Sequence, residues 1–284
     1  MKLLRLGEVG KEKPCVTTGS GQNKDVSAYF TDWNYDFFTG DGLKKLSEIV
    51  IEKGDALPDA PADTRIGSCI SRPGKIICVG LNYRDHAKEA KMDLPTEPVL
   101  FFKAPNTVVG PFDDVLIPRG STKTDWEVEL GVVIGKDARY LESPEEAANY
   151  IAGYCLCNDL SEREFQLERG GQWVKGKSCD TFNPIGPWLV TPDEIGDVNN
   201  LDLKLWKNGE IKQDSNTGQM AFDPLFLVHY ISQFMTLEAG DLISTGTPAG
   251  VGLGFDPPQY LKEGDTVELE VTGLGRQRQV FRNA

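Results

Sequence analysis

The sequence is poor in histidine, in basic side chains and in long apolar segments. Its 284 residues include 2 histidines, and 43 aspartates and glutamates outnumber 30 lysines and arginines, which gives a formal charge of −13. Nucleic acids and anionic membrane surfaces are both held by basic side chains, so this balance argues against either partner. The longest apolar runs, such as Val99–Phe102, are far below the roughly 18 residues that a membrane span requires. We therefore expect no nucleic-acid partner and no membrane partner.

The six cysteines include no Cys-x-x-Cys pair and no spacing typical of structural zinc. The segment Met1–Glu8 has neither the apolar core nor the cleavage site of a signal peptide. Disulfides persist mainly in oxidising compartments, so without a secretory signal we expect reduced and mostly buried thiols. We predict a cytoplasmic protein.

Two regions differ along the chain. Residues 1–70 combine a short strand-like start, a polar stretch and a helix predicted over Gly42–Gly54, and the Pro- and Asp-rich segment Ala56–Asp63 marks their end. Residues 71–284 contain many short strands, few helices and no regular βαβ alternation. We predict a small N-terminal module over 1–70 and a mainly β (α+β) domain with peripheral helices over 71–284.

Several predicted elements of the larger region carry chemically useful side chains. The alternation of apolar residues predicts strands over Trp126–Ile134 and Ile151–Asp159. A short helix is predicted over Tyr83–Lys91 and another over Ser161–Arg169. Asn208-Gly209 between two strand-like segments predicts a hairpin turn.

Glu127 and Glu129 are the first candidate metal ligands. Side chains alternate across a strand, so these two carboxylates share one face, about 7 Å apart at Cα. Such a pair can converge on a hard cation such as Mg²⁺. A solvated strand face produces the same pattern, and we predict such a face for Glu268 and Glu270, which have the same spacing. Spacing alone therefore does not decide between the two interpretations.

Asp159 ends a strand that is otherwise low in charge. A buried carboxylate at this position would need a partner, as a metal ligand has. The alternative is that Asp159 caps the helix predicted from Ser161.

His86 and Glu89 are the candidate general base and its partner. On a helix they lie at i and i+3 and can touch, and a carboxylate beside an imidazole raises its basicity for acting on water. A surface His–Glu pair is the alternative. The second histidine, His229, lies among apolar residues of a predicted helix, so we interpret it as structural.

The glycine-rich segment Ser244–Gly254 can present backbone N–H groups to an anion, although it lacks the lysine of a phosphate-binding loop. A flexible turn would have the same composition. Lys177 is either a functional or a solvated lysine on this evidence.

Taken in order, these segments resemble the fumarylacetoacetate hydrolase family. The similar stretches are Gly80–His86, Phe101–Pro105, Glu127–Leu130, Asn158-Asp159, Lys177-Ser178 and Thr245–Val251. They run from about residue 75 to the C-terminus, whereas residues 1–70 are similar only to a variable leading module. The resemblance implies a mixed β-sandwich roll, a homodimer and a bound Mg²⁺ or Mn²⁺.

The resemblance also implies residue roles. It makes Glu127, Glu129 and Asp159 the metal ligands, His86 and Glu89 the water-activating dyad, Lys177 a catalytic cation, and Arg163, Gln166 and Thr247 substrate-binding residues. The implied reaction is metal-dependent hydrolysis of a carbon–carbon bond in a 2,4-diketo acid, giving pyruvate and a carboxylic acid. The subgroup that is most similar acts on diketo acids derived from sugar acids, such as 2,4-diketo-3-deoxy-L-fuconate or -rhamnonate.

Other functions are compatible with the same residues. An oxaloacetate decarboxylase, a 2-oxo-dienoate isomerase or hydratase and a ureidoglycolate lyase would all use the same scaffold. A protein of another class, which binds a metal or a small acid without catalysis, is the further alternative.

Overall fold

The computed structural model describes residues 1–284 and contains eighteen strands and seven α-helices. The strands are β1 (Lys2–Leu6), β2 (Lys13–Thr17), β3 (Asn23–Asp25), β4 (Ile76–Gly80), β5 (Val99–Lys103), β6 (Val108–Val109), β7 (Val115–Ile117), β8 (Thr124–Asp125), β9 (Val128–Ile134), β10 (Ile151–Asn158), β11 (Ser161–Glu162), β12 (Asn183–Pro184), β13 (Leu189–Val190), β14 (Asp202–Lys207), β15 (Glu210–Asn216), β16 (Leu242–Ser244), β17 (Thr266–Val271) and β18 (Gly275–Asn283). The helices are α1 (Tyr35–Thr39), α2 (Gly42–Lys53), α3 (Arg84–Glu89), α4 (Pro144–Ala147), α5 (Val174–Lys177), α6 (Pro192–Ile195) and α7 (Pro224–Ser232).

Two sheets pack face to face around the main core. The larger has nine strands in the order β3-β2-β1-β13-β10-β9-β16-β4-β5, and the smaller has five in the order β15-β14-β17-β18-β7. Alternate residues of β9, including Val128, Leu130 and Val132, share this core with Leu205 and Leu269 of the smaller sheet. The predicted mainly β class with few helices is confirmed.

The other face of the larger sheet is covered by the N-terminal helices. Trp33, Phe37, Phe38 and Leu46 form a second core with residues of that face, among them Val133. Strand β1 pairs with β13, and β2 and β3 continue the same sheet. The N-terminal segment therefore supports the back of the sheet, and its division from the rest at residue 70 stays a prediction.

The helix predicted over Ser161–Arg169 is confirmed for residues 163–168 but is wrong for its first two residues. Ser161 and Glu162 instead form β11, which pairs with β8, and Glu164–Glu168 form a single π-helical turn. The pairing with β8 commits the backbone of residues 161 and 162 to a ladder, so no helix starts there. Asp159 consequently has no helix to cap.

The two central strands are confirmed, with shifted ends. β9 begins at Val128 rather than Trp126, and β10 ends at Asn158 rather than Asp159. The hairpin at Asn208-Gly209 joins β14 to β15, and both residues have positive φ, as a two-residue hairpin turn requires.

The second pair of glutamates confirms the solvated interpretation. Glu268 and Glu270 are 37% and 47% exposed and pair with Arg276 and Arg278 at the surface. All six cysteines are free thiols, and only Cys179 is not fully buried. No helix combines the length and the apolar composition needed to cross a membrane.

Candidate active site

The predicted site residues meet at one edge of the larger sheet. β16 runs parallel to β4 and antiparallel to β9, and β10 is antiparallel to β9, so β4, β10 and β16 end where β9 begins. Because Val128 and Leu130 point into the main core, alternation along β9 and the residue before it turns Glu127 and Glu129 to the opposite face. Asp159, which follows β10, joins them there.

Three buried carboxylates converge at this edge. Oxygen atoms of Glu127, Glu129 and Asp159 lie within 4.8 Å of one another. Lys177 Nζ lies 2.7 Å from Glu127 Oε2 and 2.8 Å from Asp159 Oδ2. Lys103 Nζ lies 2.5 Å from Asp159 Oδ1. Such partners are needed because transferring a carboxylate out of water costs several kcal/mol.

Arg163 extends these contacts into a network. Its Nη2 lies 2.8 Å from Glu127 Oε1, and its Nε lies 2.7 Å from Asp125 Oδ2. We call this set the ion-pair network: Asp125, Glu127, Glu129, Asp159, Lys103, Arg163 and Lys177. Its four carboxylates and three cations have a formal charge of −1 when all are ionised.

Glu129 is the member of the network without a cationic partner. It accepts the N–H of Gly246 at 3.0 Å. Burial, followed by the charges of Asp159 and Glu127, raises the pKa of Glu129 well above its ordinary value. In contrast, burial acts to raise the pKa of Glu127, but Lys177 and Arg163 together lower it to about 2. Protonation of Glu129 would bring the formal charge of the metal-free network from −1 to zero.

The donor set fits a divalent cation such as Mg²⁺ or Mn²⁺. Both prefer oxygen ligands, and three carboxylates offer oxygen atoms to one point. Glu129 is also the buried acidic group whose charge such an ion would compensate. With a dication the formal charge of the ion-pair network changes from −1 to +1, so the site becomes attractive to an organic anion.

His86 and Glu89 on α3 form a hydrogen-bonded pair. His86 Nδ1 lies 3.1 Å from Glu89 Oε2, and Glu89 Oε1 accepts the N–H of Gly250 at 2.9 Å. An ionised carboxylate can only accept hydrogen bonds, so we assign the proton to Nδ1. Nε2 is then left with a free lone pair, which is the arrangement that a general base needs.

One small cavity joins this dyad to the acidic residues. Its volume is about 60 Å³. Its polar lining comes from His86, Glu127, Glu129, Lys177 and Thr247. Its other walls are Val79, Gly80, Leu81, Phe101 and Trp173. The candidate base and two of the candidate metal ligands therefore face the same cavity.

Arg163 and Gln166 lie behind this lining, whereas Thr247 is part of it. Arg163 holds Glu127 and donates from Nη1 to Gln166 Oε1 at 3.1 Å, so both side chains support the carboxylates. Thr247 Oγ1 donates to the carbonyl of Val128 at 3.0 Å and accepts from Gln213. His229 on α7 does not line the cavity.

Two members of the network were not predicted from the sequence. Asp125 precedes Glu127 and Glu129 at the same two-residue spacing, which is the signal that would have found it. It accepts from Arg163 Nε and from the N–H of Gly252 at 2.6 Å. Lys103 lies in a segment that carries the family resemblance, but nothing in the local pattern indicates that its Nζ reaches Asp159.

The glycine-rich segment does present N–H groups to anions, and these anions are the protein's own carboxylates. Gly246 donates to Glu129, Gly250 to Glu89, and Gly252 and Leu253 to Asp125. Gly246 and Gly250 have φ values of +99° and +100°, where a side chain would be strained. One loop therefore positions residues of both the dyad and the ion-pair network.

Comparison with known proteins assigns the class. The model of the fumarylacetoacetate (FAA) hydrolase C-terminal family matches residues 75–282. The chain belongs to the fumarylacetoacetate hydrolase family. Over the full length of both chains it is 51% identical to a protein of Burkholderia ambifaria that carries a provisional hydrolase name.

Two solved structures illustrate the activities named among similar proteins. The 5-carboxymethyl-2-hydroxymuconate delta-isomerase of Mycobacterium smegmatis is 30% identical with a TM-score of 0.77, over 100% of this chain and 99% of that one. Maleylpyruvate hydrolase of Sphingobium sp. SYK-6, in complex with manganese(II) and pyruvate, is 27% identical with a TM-score of 0.80 over 100% of both chains. Similar proteins thus include both a hydrolase and an isomerase.

Proposed function

We propose that this protein hydrolyses the C3–C4 bond of a 2,4-diketo acid in a metal-dependent reaction that yields pyruvate and a carboxylic acid. The observation that carries the proposal is the cavity shared by His86, Glu127, Glu129 and Lys177. It combines a base suited to activating water with a carboxylate set suited to a dication. The maleylpyruvate hydrolase with manganese and pyruvate supports the choice of metal and product class.

The first chemical step belongs to the dyad. His86 Nε2 takes a proton from water while Glu89 holds the imidazolium that forms through Nδ1. The resulting hydroxide adds to the C4 carbonyl. The C3–C4 bond then breaks, and its electron pair passes to the leaving fragment as the enolate of pyruvate. His86 returns its proton to C3, so the products are pyruvate and the acid that contains C4.

Cations of the site stabilise the negative charge that develops on the enolate. Lys177 lines the cavity and keeps its proton, because the carboxylates of Asp159 and Glu127 hold the pKa of Lys177 above its ordinary value despite burial. A divalent ion held by Glu127, Glu129 and Asp159 would, when bound, polarise the substrate carbonyl and stabilise the same charge. Preorganised positive charge of this kind is often the largest single contribution to catalysis.

The substrate is either a simple acylpyruvate or a diketo acid derived from a sugar acid, such as 2,4-diketo-3-deoxy-L-fuconate or -rhamnonate. Its carboxylate matches the positive formal charge of the metal-loaded network. A second candidate function, isomerisation of a 2-oxo-dienoate, is favoured by the similar isomerase. The same dyad could then transfer a proton between carbon atoms without attacking C4.

Spectroscopy separates these functions. We expect the ultraviolet absorbance of enolised acylpyruvates to fall with Mg²⁺, to stop falling with EDTA, and to be matched by pyruvate formed. An isomerase would change the spectrum of a dienoate and release no pyruvate. A non-catalytic binding protein would leave every spectrum constant. No metal-dependent loss across several acyl chain lengths would contradict the proposed hydrolysis.

The chain offers a matched pair of variants for this assay. Glu129→Gln removes a buried carboxylate of the triad, whereas Glu270→Gln removes a half-exposed one with the same sequence spacing to its neighbour. We expect only Glu129→Gln to weaken Mg²⁺ binding, by more than the roughly 10–100-fold typical of residues outside the direct ligand set. Equal Mg²⁺ affinity in both variants would contradict the proposed metal site.

A further inference from the structure

The apolar wall of the cavity is built around one tryptophan. Trp173 lies between Gly170 and Gly171, both at positive φ in an exposed turn, and the short helix α5 that ends at Lys177. Its side chain is half-buried and lines the same cavity as Lys177 and the acidic residues. The tryptophan therefore lies at the boundary between the reacting groups and the surface.

The position of the indole ring depends on its neighbours. A Cβ atom at Gly80 would lie 2.8 Å from Cζ3 and 3.1 Å from Cη2 of Trp173, so only glycine lets the ring rest on the backbone there. Phe101 packs edge-on against the ring, with centroids 5.2 Å apart. Lys177 Nζ in turn lies 5.1 Å from the Phe101 ring. The indole is thus set at a defined distance from the charged part of the site.

The volume of the cavity limits how much of a substrate can lie inside the wall that Trp173 forms. About 60 Å³ holds only a few water molecules, whereas sites for small organic ligands span roughly 300–1,000 Å³. A whole 2,4-diketo acid therefore extends beyond this cavity as the ring stands. A group attached to C4 that extends past Trp173 must either displace the indole or pack along it.

We propose that Trp173 is a specificity-determining residue that limits the size of the substituent on C4 and selects a small apolar acyl group. This inference rests on the proposed function. The non-polar part of the wall consists of Val79, Leu81, Phe101 and Trp173, whose one polar side-chain group is the indole N–H. The hydroxyl of Thr247, which lines the same cavity, already bonds Val128 and Gln213, so the lining offers few free partners to a polyhydroxylated substituent. Of the two substrate types proposed above, the simple acylpyruvates fit this wall better.

The test compares straight-chain acylpyruvates from acetyl to hexanoyl, with Mg²⁺ present. In the wild type we expect kcat/KM to fall with acyl length. Trp173→Ala should raise the hexanoyl-to-acetyl ratio of kcat/KM by at least about tenfold, a typical discrimination for small changes in an apolar pocket. Trp173→Phe should give a ratio between those of the wild type and Trp173→Ala. A uniform change for all lengths in Trp173→Ala, or a wild-type preference for a polyhydroxylated diketo acid, would overturn the inference.

Two further variants control for loss of folding. Phe102→Ala removes an exposed ring next to Phe101 that does not line the cavity, so its ratio should equal that of the wild type. Gly80→Ala adds a Cβ atom where the indole ring now lies, so it should displace the ring and shift the ratio in the same direction as Trp173→Ala. An unchanged ratio in Gly80→Ala at full activity would count against the inference.

A binding experiment keeps this inference distinct from the proposed hydrolysis. Calorimetry with Mg²⁺ measures the dissociation constants of pyruvate, 2-oxobutyrate and 2-oxohexanoate. None of these acids has a carbonyl group at C4, so none can undergo the proposed cleavage. We expect affinity to fall with length in the wild type and to fall less in Trp173→Ala. If the wild type cleaves no acylpyruvate but this pattern appears, the proposed reaction fails and the role of Trp173 stands. If cleavage occurs without the pattern in either assay, the role of Trp173 fails alone.

Discussion

Replacing Lys177 by methionine separates the structural and catalytic contributions of the ion-pair network. Lys177 is 2% exposed and bonds both Glu127 and Asp159. Removing one partner of a buried ion pair costs about 3–5 kcal/mol, because the remaining charge stays buried and unpaired. At about 2–4 °C per kcal/mol for a chain of this size, the melting temperature of the metal-free variant should fall by roughly 6–20 °C.

Mg²⁺ should reverse much of this loss in Lys177→Met. The variant has one cation fewer around the same carboxylates, so a bound dication meets a more negative site and should bind at least as tightly as in the wild type. Turnover should nevertheless fall by about 10²–10³-fold, the usual effect of removing one electrostatic stabiliser of a developing anion. Thermal unfolding with and without Mg²⁺, calorimetry and the acylpyruvate assay measure these three quantities.

Lys175→Met is the matched control, since Lys175 lies on the same helix but is exposed. Its stability should stay within about 0.5 kcal/mol of the wild type. The reasoning would be refuted if Lys177→Met kept wild-type stability and turnover, or if its Mg²⁺ affinity were clearly weaker than that of the wild type.

Three further outcomes follow from the same contacts. His86→Gln should lower kcat by about 10²–10⁴-fold and leave Mg²⁺ affinity unchanged, which steady-state kinetics and calorimetry would check; weaker Mg²⁺ binding would count against a role as base. Gly254→Ala would place a Cβ 2.6 Å from the carboxyl carbon of Glu89, so kcat should fall by up to about 100-fold as the dyad shifts, with Mg²⁺ affinity retained. Burial, followed by the charges of Asp159 and Glu127, raises the pKa of Glu129 above the ordinary value of 4.5 that applies in the unfolded chain. Above pH 4.5 the unfolded chain therefore releases a proton from Glu129 that the folded metal-free protein retains. Stability of the metal-free protein should therefore fall as pH rises from about 4.5, and Mg²⁺ should raise the melting temperature more at pH 8 than at pH 5.5; an equal rise at both would contradict this assignment.

The strands that carry the site could be predicted because alternation along them is strong. Val128, Leu130 and Val132 alternate with Glu127 and Glu129, and the structure keeps this alternation in full. Local spacing could not decide which glutamate pair is buried, since that depends on what covers the face that carries each pair. β9 and β17 both lie between two neighbouring strands, but Glu127 and Glu129 are 6% and 1% exposed, whereas the side chains of Glu268 and Glu270 face solvent and arginine side chains.

The parts that sequence reasoning missed depend on long-range contacts. Lys103 reaches Asp159 across 56 positions of the chain, and the loop donor Gly252 reaches Asp125 across 127. The error at Ser161 and Glu162 has a similar cause, because pairing with β8 prevails there over the local helical pattern. The homodimer and the cytoplasmic location stay predictions.

The central claim is that water, activated at this site, cleaves a carbon–carbon bond. The most direct measurement is mass spectrometry of the products formed from acetylpyruvate and Mg²⁺ in ¹⁸O-labelled water, sampled before carbonyl exchange. Hydrolysis at C4 predicts equal amounts of pyruvate and acetate, with one atom of ¹⁸O in the acetate and none in the carboxylate of pyruvate, and no products with EDTA. Release of carbon dioxide, an intact isomerised acid, or cleavage that persists in EDTA would contradict the account.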